Sequence, residues 1–339
     1  MSAVTDIPPA PVRQRPPFLQ ALRFSEDEYA RARSTGGVLE LRLHVVRQCN
    51  LRCTYCFTHD LNTGPAPPRK ALTYEETCDV ICQAQEIGAR TIHILGPGEP
   101  TLYDRLSDLV RFVRGRGLMP YFPTNTLLLT RNFASFLYDQ GVNLLGKFNS
   151  LIPSIQDQLI GRSGVHHMLE NKLRMLADLG FARAGRLAAH CVISRLNYAG
   201  IPEVFVYLRD RGILPFVDTL TMTGKGNPNM DVSAAERDDL FQRLARIDNE
   251  RYGYHWDIHD GPHIGDDYRR YLHVCVVNLY GDVYPTDCLR VQLGLNVRSG
   301  ALGDLVRSAA FRESRRTEKH LAGAPQGLLT DASSSINSA

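Results

Sequence analysis

The sequence predicts an α/β protein made of successive strand-and-helix units, and three observations carry that expectation. Short apolar runs alternate with longer amphipathic stretches, as they do in β/α units whose parallel strands are covered by helices. The 339 residues are 43% hydrophobic and 22% charged, which supplies a sizeable core and excludes a wholly disordered or collagen-like chain. At about 150 residues per domain, with single α/β barrels reaching about 200–250, this length suits one large unit plus an appendage. Right-handed crossovers make such a series either an open sheet or a curved partial barrel, with chemistry in the loops after the strands.

The elements follow in order. Pro8, Pro9, Pro11, Pro16 and Pro17 withhold backbone donors and disfavour helix before them, so residues 1–38 are expected to form an extended lead-in. Strands are predicted at 39–46, 91–95, 119–122, 144–148, 188–193 and 216–220. Helices are predicted between or after them at 74–87, 106–116, 131–138, 168–179, 201–211 and 234–250. This unit is taken as residues 39–252. The pattern then turns Gly-, Asp- and His-rich, and Gly281-Asp282 marks a hairpin between two β-like runs. Residues 253–320 are therefore expected to form a small C-terminal subdomain, and the small, polar residues 321–339 a flexible tail.

Thirty-nine Lys and Arg against 36 Asp and Glu leave a net charge of +3, too small a surplus to demand nucleic acid. No apolar run is long enough for a membrane span, and the Pro-rich start lacks the core of a secretory signal. A cytoplasmic protein is expected. Eight cysteines are far too few for a disulfide scaffold, and their clustering in a reducing compartment points to metal binding or catalysis.

Cys49, Cys53 and Cys56 stand in the segment HVVRQCNLRCTYCFTHD directly after the first strand, spaced C-x3-C-x2-C. Three thiolates converging from one loop restrict the metal largely to iron–sulfur or zinc. Zinc would take a fourth ligand, for which His59 is placed; an iron–sulfur cube on three thiolates would leave one iron open to an exogenous molecule. One unit later comes ILGPGEPTL, whose glycines admit a close ligand and whose prolines stiffen the loop.

These two motifs resemble those of the radical S-adenosylmethionine (SAM) enzymes, a C-x3-C-x-aromatic-C loop after the first barrel strand and a Gly-Gly-Glu-Pro loop after the second. The resemblance implies a partial (β/α)6 TIM-like barrel in which Cys49, Cys53 and Cys56 bind a [4Fe–4S] cluster and take part in catalysis, while SAM fills the open iron. In that family an electron from the cluster splits SAM into methionine and a 5′-deoxyadenosyl radical, which takes hydrogen from a substrate. Tyr55 aligns with the motif's aromatic residue, and Gly98, Glu99 and Pro100 align with the loop that binds the SAM amino group. Pro97 departs from the commonest form and has no amide hydrogen.

Other polar residues sit at later strand ends: Thr124 and Asn125, Asn149 and Ser150, Ser194 and Asn197. By the resemblance, Ser150 and Ser194 are favoured for the ribose and carboxylate of SAM, with Thr124 and Asn125 added to the cofactor-binding set; each is otherwise a cap or turn residue. Lys147 alternates away from Phe148 and is expected to be solvated or ion-paired. Gly224-Lys225-Gly226 lacks a phosphate-loop pattern and reads as the mobile end of the sixth strand, offering backbone groups. His255, His259 and His263 are interrupted by Gly261-Pro262, which argues against a histidine metal site and for a substrate cover. Cys78 and Cys82 read as buried thiols.

Cys275 and Cys288 resemble the start of the SPASM or Twitch extension of radical SAM enzymes, with the downstream cysteines missing. A degenerate α+β extension that covers the substrate is expected, and a second cluster would need Cys191 or another ligand. The resemblance also implies an electron donor such as flavodoxin or ferredoxin. GPGEPTL, KFNS and the short extension look most like enzymes that tailor sugars or nucleosides in antibiotic biosynthesis, by decarboxylation, dehydrogenation, deoxygenation or C–C coupling of a small polar molecule. Two alternatives are a peptide-modifying or cofactor-maturation radical SAM enzyme and, from a different class, a zinc-stabilised binding protein.

Overall fold

The computed structural model describes residues 14–257, 263–286 and 292–321, with side chains as far as residue 315. The lead-in is not extended throughout. Helix α1 (Glu26–Thr35) opens on a reciprocal cap in which Ser25 and Glu28 satisfy each other's backbone N–H, and Gly36 closes it in the left-handed conformation, φ 63°.

Strands β1 (Glu40–His44), β2 (Thr91–Leu95), β3 (Met119–Thr124), β4 (Asn143–Lys147), β5 (Leu187–Val192) and β6 (Leu214–Asp218) lie side by side and parallel. The helices among them are α2 (His59–Thr63), α3 (Tyr74–Glu86), α4 (Leu106–Gly115), α5 (Arg131–Asp139), α6 (Pro153–Ile160), α7 (His166–Asp178) and α8 (Ile201–Arg209). Helix α9 (Ala234–Ile247) follows the sixth strand. All six expected strands are present within two residues of the expected starts. Helix α6 was not foreseen, because PSIQDQLIG is short and its proline marks a first turn rather than a break.

The hairpin at Gly281 forms, but β7 (Val274–Val277) and β8 (Val283–Tyr284) belong to the same sheet, whose order is β6-β5-β4-β3-β2-β1-β7-β8. β7 lies parallel to β1, and only β8 runs antiparallel. Helices α10 (Leu302–Arg307) and α11 (Ala309–Leu321) complete the chain, with Phe311 fully buried against the main core.

Alternation along each strand separates two environments. Leu41, Leu43, Ile92, Ile94, Phe122, Leu144 and Leu187 meet the helices, and the other face carries Glu40, His93, Tyr121, Lys147, His190 and Asp218. Phe18, Leu19, Ala21 and Leu22 pack on Tyr121, Leu145, Ala188 and Phe216. The Ala21 backbone is bound by Thr91 and Asn143, the first residues of β2 and β4, so this segment closes the barrel at the strands' N-terminal ends. The opposite, C-terminal end is left for chemistry.

The closed interior also buries a polar network. Arg270 pairs with Asp266 at 2.7 and 2.8 Å and with Glu40 at 3.0 Å, and Glu40 in turn pairs with Arg42 at 2.8 Å and His93 at 3.0 Å. Burial alone would raise the Glu40 carboxyl, but Arg42, His93 and Arg270 outweigh it and hold the group well below the usual range.

Candidate functional site

The cysteine loop is held from three sides. After β1 it runs beside the β2 loop, where Gly98 N–H donates to Val46 O at 3.2 Å and Glu99 N–H to Gln48 O at 2.8 Å. A Cβ on Gly98 would lie 2.0 Å from Gln48 O, so this approach needs glycine. The second side is the end of α6: Thr54 N–H donates to Leu159 O at 2.8 Å, and the Thr54 hydroxyl donates to the same oxygen at 3.1 Å.

The third side is the Gly224-Lys225-Gly226 segment, which is a clamp on the loop rather than a free edge. Lys225 N–H donates to Cys56 O at 3.0 Å, and the Thr223 hydroxyl donates to Phe57 O at 3.2 Å. Gly224 has φ +60°, and a Cβ there would fall 2.4 Å from Cys56 O. Gly224→Ala is therefore expected to destabilise the protein by at least about 1–2 kcal/mol and to lower the iron retained after anaerobic assembly. Unchanged stability in denaturant titration together with unchanged iron content would count against the clamp.

All three thiols are half-buried. Burial pushes Cys49 up, and it pushes Cys53 up to about 12 against the opposing charge of Lys147. A metal held here must displace those protons. The donor set is soft, with no fourth thiol beside it among the described residues: Cys191 faces Asn149 O, Cys275 is sealed in the core, and Cys78 and Cys82 are half-buried on α3 rather than fully buried. A single zinc needs ligand atoms about 3.8 Å apart. Among the described residues the one trio of ligand-bearing side chains with donor atoms all within 4.8 Å is His166, His167 and Glu170. Cys49, Cys53, Cys56 and His59 thus form no closed zinc cage, and the wider three-thiol arrangement suits a cluster.

The β2 loop is tied to the same thiols. Pro97 O accepts from the Thr58 hydroxyl and from Asn62 Nδ2, each at 3.0 Å, and these two side chains lie 3.5 and 3.8 Å from Cys56 Sγ. Glu99 is used internally. Its Oε1 accepts from the Thr101 N–H and hydroxyl and from the Thr124 hydroxyl, and its Oε2 accepts from Asn125 N–H at 2.8 Å. Burial raises its carboxyl despite those donors. Glu99, Thr124 and Asn125 therefore brace the loop, and Asn125 Nδ2 reaches Asn50 Oδ1 at 2.6 Å.

The later strand ends are similarly engaged. Ser150 Oγ accepts from Ile152 N–H, and the Ser194 hydroxyl donates to Asn197 Oδ1. Asn149 Nδ2 donates to the Tyr55 hydroxyl at 2.9 Å, which anchors the motif's aromatic residue among Leu159, Val192 and Leu220. Ser150 and Ser194 are buried residues just beyond the C-terminal ends of β4 and β5.

Lys147 enters the barrel. Its Nζ contacts His190 Nδ1 and lies 5.8 Å from the centroid of the Tyr55 ring, while His190 Nε2 is 3.1 Å from Asp218 Oδ2. His263 Nδ1 is 3.9 Å from the other Asp218 oxygen, and its ring lies 3.9 Å from Phe216. Burial lowers Lys147, and burial followed by the Lys147 charge pushes His190 down to about 4. Burial opposes ionisation of Asp218, but His263, His190 and Lys147 prevail and hold it well below the carboxylate range. His190, Asp218 and Arg270 were missed in the sequence; period-two alternation on β5 and β6 would have placed the first two beside Lys147.

Of the remaining candidates, His255 lies apart, its N–H on Gln14 O, while His259 and Cys288 fall outside the described residues. Cys191 and Cys275 are five strand steps apart in the sheet order, at about 4.8 Å each, so they do not share a cluster.

Fold and site define an enzyme domain with three thiols gathered in one loop at the C-terminal mouth of a partial barrel. Residues 43–208 match the model of the radical SAM superfamily, and the chain belongs to that superfamily. Its cofactors are a [4Fe–4S] cluster and SAM. The chain is 26% identical over 178 residues to the tungsten-containing aldehyde ferredoxin oxidoreductase cofactor-modifying protein of Pyrococcus furiosus, covering 51% of this chain and 49% of that protein. It thus spans about half the length of that relative. It is 24% identical over 295 residues to a GTP 3′,8-cyclase of Sulfurimonas denitrificans, covering 83% of each. The SAM-bound crystal structure of SuiB from Streptococcus suis superposes with a TM-score of 0.66 at 16% identity, covering 87% of this chain and 70% of that one. In the described residues no helix is long and apolar enough to cross a membrane.

Proposed function

We propose that this protein is a radical SAM enzyme of the cofactor-modifying kind that acts on a compact polar molecule held in the barrel mouth. The observation that carries this reading is the Lys147–His190–Asp218 chain, which sets the Lys147 ammonium beside Cys53 and the Tyr55 ring. The expectation of a sugar or nucleoside substrate in antibiotic biosynthesis has no support among the relatives; the name of the Pyrococcus protein favours the cofactor-maturation alternative.

In this reading Cys49, Cys53 and Cys56 hold the cluster, and the main chain of Gly98-Glu99-Pro100 with Tyr55, Ser150 and Ser194 shapes the SAM site. Thr124 and Asn125 support it through Glu99. When bound and reduced by a flavodoxin- or ferredoxin-type donor, the cluster and SAM supply a carbon radical able to take an unactivated hydrogen. The chain's own part is to exclude water, orient the substrate and move protons. The segment around His263–Arg270 sets His263 beside Asp218 and Arg270 beside Glu40, and Lys147 can donate to an anionic or carbonyl oxygen while His190 and Asp218 keep its Nζ in place.

The test is anaerobic turnover with deuterated candidate substrates, including nucleotides, cofactor precursors, sugars and a short peptide. Deuterium entering 5′-deoxyadenosine from a nucleotide or cofactor precursor supports the reading; transfer from a peptide or a sugar alone refutes it. With the accepted substrate, Lys147→Ala is expected to keep its cluster and to lose about 100-fold or more in product formation. Parental turnover in that variant would remove Lys147 from the site.

A further inference from the structure

A second cluster of ligand-bearing side chains sits on the first turns of α7, away from the thiols. The Asp157 carboxylate accepts from Val165 N–H at 3.3 Å and His166 N–H at 3.0 Å, which fixes where this helix begins. The His166 side chain then enters the layer behind β4, with its ring centroid 5.8 Å from that of Phe148. The residue is only 4% exposed, and neither of its ring nitrogens has a hydrogen-bond partner. A buried imidazole normally satisfies at least one nitrogen.

Two further donors lie beside it. His167 is exposed at the surface, with its Nδ1 3.8 Å from Glu170 Oε2. The other Glu170 oxygen accepts from the Tyr207 hydroxyl of α8 at 3.0 Å, which orients the carboxylate and leaves Oε2 toward the imidazoles. Donor atoms of all three residues lie within 4.8 Å of one another. Zn–N and Zn–O bonds of about 2.0–2.2 Å set donor atoms about 3.4 Å apart, so small torsions of exposed His167 and of Glu170 bring the three onto one ion.

We propose that His166, His167 and Glu170 bind a divalent transition ion of the zinc type. Two imidazoles and one carboxylate suit borderline ions, whereas magnesium and calcium select all-oxygen sites. Water completes the tetrahedron. The ion ties α7 to α8 through Glu170 and Tyr207. Phe148 packs on both sides of this contact, 5.8 Å from His166 and 5.6 Å from Tyr207, and precedes Asn149, which holds Tyr55. The site is thus a brace behind one wall of the barrel mouth, and it stands whatever substrate the barrel takes.

The test is zinc titration of the anaerobically assembled, cluster-bearing protein, with metal analysis after dialysis and zinc X-ray absorption. One zinc per chain is expected, surrounded by nitrogen and oxygen at about 2.0–2.2 Å. His167→Ala and the near-isosteric Glu170→Gln should each weaken zinc by about 100-fold or more, with iron content and circular dichroism unchanged. Sulfur neighbours at about 2.3 Å, failure to bind zinc, or parental affinity in both variants would overturn the proposal.

Discussion

Replacing Cys53 with alanine is expected to abolish reductive cleavage of SAM. Cys53 lies deep in the loop, packed beside Tyr55 and Leu159, and the neighbouring segments come from α6 and the Gly224 clamp. With the thiol gone, two sulfurs remain and no other described cysteine is near enough to replace it. After anaerobic assembly the variant should show a large loss of iron per chain, and 5′-deoxyadenosine formation with a chemical reductant should fall to background. Because the half-buried alanine leaves the loop's backbone bonds in place, circular dichroism should match the parent. Parental 5′-deoxyadenosine formation would remove Cys53 from the ligand set.

Arg270→Ala is expected to cause the largest loss of stability, about 3–5 kcal/mol. The side chain is 2% exposed and stands between Asp266 and Glu40. Truncation leaves two carboxylates facing one another inside the barrel without their shared counter-charge. The pH dependence has a defined sign. Glu40 is held below its unfolded value of about 4.3, so its contribution is present above that pH and is lost as pH falls toward its folded value. Without Arg270 the Glu40 carboxyl titrates higher, and the difference between parent and variant should shrink below about pH 4. Denaturant titrations at pH 7 and at about pH 3 test this; a difference under about 0.5 kcal/mol at pH 7 would contradict the buried pairing.

The strands were legible because each is a short apolar run whose alternate residues face the helices, as Leu41 and Leu43 or Ile92 and Ile94 do. The thiol loop and the β2 loop were legible because their residues are contiguous and their spacing carries the chemistry. Helix α1 was not foreseen in a proline-rich lead-in, although Ser25 and Glu28 are a local capping signal. The placement of β7 beside β1 was not legible, since a parallel pairing across more than 200 residues leaves no local mark. Nor was the work of Glu99. Its four donors come from Thr101, Thr124 and Asn125, so a residue aligned with a cofactor motif proves to be a brace. The Lys147–His190–Asp218 chain joins three strands, and only folding brings its members together.

The most direct measurement of the central claim is electron paramagnetic resonance of the reduced, anaerobically assembled protein, recorded with and without SAM. Three thiolates on a cube leave one iron for SAM, so the account predicts about four iron and four sulfide per chain and a cluster signal that shifts when SAM is added. A signal indifferent to saturating SAM, or a colourless protein carrying zinc on the cysteine loop, would contradict it.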